Sequence, residues 1–74
     1  MNGFVLLVGT HTGVEVHRAS TSEELCERAM AELNAQRAPY GVMVASQIND
    51  GEDYLVMLIW PGPHGMGLSV RDLP

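Results

Sequence analysis

The stretch Tyr54–Gly67, YLVMLIWPGPHGMG, decides how this chain is read. Seven consecutive apolar or aromatic residues, Tyr54 to Trp60, run into Pro61 and a Gly- and Pro-rich segment that carries His64 and Met66. The run predicts a strand, and one that is oily on both faces. Tyr54, Val56, Leu58 and Trp60 fall on one side of it; Leu55, Met57 and Ile59 fall on the other. PGPHGMG reads as its stop signal and a flexible connection.

Working outward, NDGED before the run is a turn signal, because Asn, Asp and Gly tolerate left-handed backbone. YGVMVASQI (40–48) before that is another strand, and FVLLVGT (4–10) at the start of the chain is a third, β-branched and apolar. HTGV supplies a tight turn with Gly13 available for positive φ. VEVHR (14–18) then alternates as a half-exposed edge strand, with Val14 and Val16 opposite Glu15 and His17. STSEEL opens a helix: Thr21 is the N-cap and Glu24 the partner three residues on. Glu23 and Glu24 also suit the positive end of the helix dipole. Leu25, Cys26, Ala29, Met30 and Leu33 recur at spacings of three and four, an apolar stripe. Glu24–Arg28 and Arg28–Glu32 are i,i+4 pairs expected on the wet side. Pro39 ends the helix near Gln36.

The element order β-β-α-β-β predicts a single two-layer α+β domain over residues 1–74. A mostly antiparallel four-stranded sheet carries one helix on one face, and 61–74 forms a Gly/Pro-rich C-terminal tail. That tail has room for a short fifth strand at LSV (68–70). Ranking strands by apolarity places the first and fourth in the middle, as parallel neighbours in the order 2-1-4-3.

One helix covers one face of such a sheet. The other face, with a patch built from Val5, Leu7, Met43, Leu55, Met57 and Ile59 or from the opposite set, calls for a cover. A second copy, a different protein, or the tail contributing Met66, Leu68, Val70 and Leu73 can supply it. Association is the preferred expectation, because 74 residues bury only a marginal core and small domains gain stability by oligomerising. Cys26 is the only cysteine, so no disulfide forms within the chain. No charged segment followed by an apolar one opens the sequence, and a soluble cytoplasmic protein is expected.

The net charge is −5, with four Arg, no Lys and nine acidic residues. The arginines are scattered, whereas phosphate backbones are bound through clustered cations; neither nucleic acid nor membrane is an expected partner. The acidic balance suits solubility or a basic protein partner.

No catalytic constellation stands out. His11 and His17 can approach each other across the hairpin turn, but His64 is remote in sequence, so no convergent metal set is expected. Cys26 on the apolar stripe reads as a buried, inert thiol. Asp50, Glu52 and Asp53 form either a plain turn or an acidic knob for a basic surface. GPHGMG lacks a following helix and is not a phosphate loop. It can serve as a contact loop with Trp60, His64 and Met66 as anchors.

GVEVHRASTSEEL, a helix, GVMVASQINDGEDYLVMLIW and finally GMGLSV together resemble the layout of small bacterial Imm1-type immunity proteins over most of the chain. The resemblance implies a cytoplasmic, non-enzymatic inhibitor that binds a toxin domain. The expected function is accordingly a protein-binding module without cofactor. Its surface is expected to comprise Leu55, Met57, Ile59, Trp60, His64 and Met66 with Asp50, Glu52 and Asp53. The alternatives are a self-associating homodimeric domain and, less favoured, a small enzyme with His17 or His64 at a dimer interface.

Overall fold

The computed structural model describes residues 3–48 and 53–73, without the side chains of Gln47, Ile48 and Asp53. Four strands, β1 (Phe4–Thr10), β2 (Gly13–Ala19), β3 (Val42–Ile48) and β4 (Asp53–Trp60), form one sheet, with helix α1 (Ser22–Asn34) between β2 and β3. This is the small α+β domain expected. The turn predicted at 49–52 lies outside the described residues.

The strand order is β2-β1-β3-β4, and every neighbouring pair is antiparallel. The expected 2-1-4-3 order is therefore corrected: β1 lies beside β3, and β4 is an edge. The chain leaving the helix explains the difference. The Tyr40 N–H donates to Gly9 O at 3.0 Å, and the Gly9 N–H donates to Gly41 O at 2.8 Å. These two bonds start the β1–β3 ladder at the end of β1 and leave β4 outside it. They need Gly9, because a Cβ there would lie 2.9 Å from Tyr40 Cβ and 3.0 Å from its carbonyl carbon.

Thr21 caps α1 as expected, accepting from the Glu24 N–H at 3.2 Å. Glu24 reaches back one residue further than a capping box requires and takes the Ser20 N–H at 3.3 Å. It makes no ion pair with Arg28 among the described residues. The helix packs over β1 and β2. Leu25 and Ala29 join Leu6, Val8, Ala38 and Val42 in one core cluster. Cys26 and Met30, assigned to the apolar stripe by spacing, are exposed. They stand too far round the helix from the Leu25–Ala29–Glu32 line that faces the sheet.

On the opposite face, Val5, Leu7, Met43 and Ala45 form a second cluster closed by Leu68 of the tail, only 6% exposed, with Leu73 packed beside it. The tail thus covers the centre of that face, where association was the preferred expectation. Met66 and Val70, also expected in the lid, are exposed. No strand forms at 68–70. Ser69 instead starts a 3-10 turn, Val70–Asp72, its N–H donating to Asp72 Oδ2 at 2.7 Å.

Candidate functional site

Strand β4 has one neighbour, β3, and forms an edge of the sheet. Its residues 54–60 carry no charge and no proline, the devices that native edges use to block further pairing. Large apolar side chains stand in solvent along it: Leu55 at 68%, Met57 at 59%, then Leu58, Ile59 and Trp60.

The faces differ from strict alternation. Met43 is opposite Leu58, but Val42 is opposite Trp60, so Ile59 is an extra residue in a β-bulge. Cross-strand partners share a face. Val42 faces the helix, so Trp60 does too, and the bulge removes it from the Tyr54–Val56–Leu58 side. The patch expected from Val5, Leu7, Met43, Leu55, Met57 and Ile59 is also split. Val5, Leu7 and Met43 lie under the tail, whereas Leu55 pairs with Ser46 and Met57 with Val44 on the helix side.

Because α1 sits over β1 and β2, the helix side of β3 and β4 is left open. The result is an apolar groove of about 340 Å3 between helix and edge strand. Phe4, Leu25 and Val44 line it from within the fold, and Leu55, Met57 and Ile59 line it from the edge. Cys26 opens onto it as well, which corrects the expectation of a buried thiol.

A second cleft, about 520 Å3, lies beyond the bulge and includes His11, Pro39, Trp60 and His64. His11 sits in the two-residue turn between Thr10 and Gly13. The Thr10 hydroxyl accepts the Thr12 N–H at 3.2 Å and donates to Gly13 O at 2.8 Å. His64 is held by its own N–H, which donates to Pro39 O at 2.9 Å; the Gly67 N–H donates to Tyr40 O at 2.9 Å. Gly62, at φ 78°, makes this docking feasible, since a Cβ would lie 2.8 Å from Ala38 O and closer still to Pro39 O. PGPHGMG is thus a fastened loop, where a flexible connection was expected. The ring centres of His11 and His64 are 5.8 Å apart, and Tyr40 lies 5.8 Å from the first and 5.5 Å from the second. Sequence distance hid this meeting: His11 approaches His64, whereas His17 pairs with Leu6 well down the ladder.

His17 belongs to a third cluster, beneath the helix. Its Nε2 is 3.1 Å from Glu15 Oε1 and 3.6 Å from Glu32 Oε1. Ligand-type atoms of Glu15, His17 and Glu32 lie within 4.8 Å of one another, a spacing that can hold an ion. Arg37, however, pairs with both carboxylates, and Arg28 Nε is 3.5 Å from Glu32 Oε1. The arginines already balance the acidic charge, and the group reads as an ion-pair network tying β2 to α1. Glu32 is buried here, at 3% exposure, and is not on the wet side that its helix spacing suggested.

Of the expected surface residues, Leu55, Met57 and Ile59 meet in the groove, and Trp60 and His64 meet in the cleft. Met66 is exposed but is not part of the groove lining; its sulfur stands beside Gly41. Asp50 and Glu52 lie outside the described residues, as does the side chain of Asp53. Tyr40 and Cys26 were not singled out as surface residues. Only the β-β-α geometry, which leaves the helix off-centre, places them there.

No family model, curated protein or solved structure matches the chain. Among the described residues no helix is long and apolar enough to cross a membrane.

Proposed function

We propose that this chain is a non-enzymatic protein-binding module of the cytoplasm that takes an extended segment of a protein partner alongside β4. The observation that carries this reading is an edge strand uncharged over residues 54–60 and flanked by an open apolar groove. A partner strand would gain main-chain hydrogen bonds from the edge and place alternate side chains against Leu55, Met57 and Ile59. The net charge of −5 favours partners with basic flanks. An inhibitor of a toxin domain, as the immunity-protein resemblance implies, is the particular form proposed.

One feature of β4 favours the chain itself as partner. Antiparallel pairing of two β4 strands about Met57 would set Leu55 of each copy against Ile59 of the other on the helix side, with no like charges opposed.

The test compares the tagged wild-type chain with Met57→Lys, a substitution at an exposed position. Proteins retained from the host lysate by the wild type and lost from the folded variant support the binding reading, once each is confirmed as a direct partner with purified components. A dimer mass by light scattering that collapses to monomer in Met57→Lys supports self-pairing. A monomeric wild type with no β4-dependent partner sinks both.

A further inference from the structure

We propose that His11 and His64 together bind a divalent transition-metal ion of the imidazole-preferring kind, with Zn2+ and Cu2+ as its chemical types. The inference is independent of how β4 is used. It rests on the meeting of two histidines from opposite ends of the chain at one fastened place in the fold.

The separation fits a shared ion. With metal–nitrogen bonds of about 2.0–2.1 Å and near-tetrahedral angles, two imidazoles on one ion have ring centres roughly 5–6 Å apart. The observed value is 5.8 Å. The ring nitrogens of both histidines have no hydrogen-bond or ion-pair partner among the described residues. Their donor positions are therefore not committed within the fold.

The site is also held in advance. His11 rides on a two-residue turn secured by the Thr10 hydroxyl, and His64 is tied by its main chain to Pro39. The Tyr40 ring lies edge-on to His11, at 85°, and tilted by 38° to His64. Rigid placement of ligands reduces what binding must spend on ordering them. The neighbouring cleft of about 520 Å3 leaves room for water or a further donor on the ion. Two protein ligands with open positions make an accessible site, unlike the closed four-ligand sets of structural zinc.

The rival set, Glu15, His17 and Glu32, has more ligand atoms but would hold a dication against Arg37 and Arg28, which lie on the same carboxylates. Among the described residues no guanidinium pairs with His11 or His64.

Calorimetric titration of the full chain with ZnCl2 and with CuCl2 tests the assignment. The wild type is expected to bind one ion per chain, with Cu2+ tighter than Zn2+. His11→Ala and His64→Ala should each weaken binding by at least about tenfold, and His17→Gln should leave it unchanged. Absence of saturable binding in the wild type overturns the proposal. So does binding that survives either His11→Ala or His64→Ala, or that disappears in His17→Gln. If a variant loosens the fold, Cu2+ titration of the wild-type chain followed by NMR serves instead. Signals of His11, Tyr40 and His64 should broaden first; broadening that begins at His17 rejects the site.

Discussion

Arg37 Nη1 donates a hydrogen bond to Glu32 Oε1 at 3.2 Å and stands 3.1 Å from Oε2 without hydrogen-bond geometry. The Arg37 N–H also donates to the Glu32 carbonyl at 3.1 Å. A buried carboxylate is thus paired with a cation only five residues on, where the chain turns out of the helix, with one oxygen hydrogen-bonded and the other in ion-pair contact only. The same guanidinium reaches Glu15 on β2 and so fixes the end of α1 against the sheet.

Removing that cation should expose the cost of the buried charge. Breaking a fully buried pair costs about 3–5 kcal/mol. Water reaches half-exposed Arg37, so Arg37→Ala is expected to cost ~2 kcal/mol. Adding Glu32→Leu should restore most of the loss, because an apolar side chain leaves no charge to compensate. Urea unfolding of the single and double variants measures both; an additive double variant would contradict the network.

The lid on the second face predicts where packing matters. Leu68→Ala removes a buried contact among Val5, Leu7 and Met43 and should cost about 2–4 kcal/mol. Met57→Asp and Leu58→Asp lie on opposite faces of β4 but are both exposed, so each should unfold at nearly the wild-type urea midpoint. A large loss in either would place β4 inside the fold after all.

Cys26 offers a chemical readout of the groove. Its thiol is exposed in the native fold and should react with a thiol reagent without denaturant. Occupation of the groove should slow that reaction, and Met57→Lys, by preventing occupation, should return it to the rate of the free chain. Labelling that requires unfolding would show the thiol to be covered.

Gly62 tests the fastening of the His64 loop. Gly62→Ala forces an alanine to positive φ against the Ala38 and Pro39 carbonyls, a strain of roughly 1–3 kcal/mol. The expected result is a lowered melting temperature together with a weakened near-ultraviolet signal from Tyr40 and Trp60. An unchanged aromatic signal would mean that the loop does not position the rings.

The elements of this fold were legible because each has a local signature: the Thr21 cap, the alternating hairpin and the two-faced run at 54–60. Strand order was not, because apolarity has two causes. In β1 it marks a centre buried on both faces, with Val5, Leu6, Leu7 and Val8 all inaccessible. In β4 it marks surface left for something else. Alternation in β2 separates its two faces without saying which is covered: Val14 and Val16 are exposed, while Glu15 and His17 lie half-buried beneath α1. Charged side chains read as solvent-facing, and nothing local reveals that Arg37 will come round to meet them. The groove residues Leu55, Met57 and Ile59 could be read as one row. The His11–His64 contact could not, since it depends on main-chain bonds between Pro39, Tyr40 and the far end of the chain.

The bulge at Ile59 has an instrumental consequence. By adding one residue it turns the protein's sole tryptophan to the side shared by groove and cleft. Trp60 follows the three groove-lining residues of β4 and lines the same cleft as His11 and His64. The molecule therefore carries a native emission gauge between two separate sites. Polypeptide alongside β4 should shift the indole toward the blue, and copper at the imidazoles should dim it.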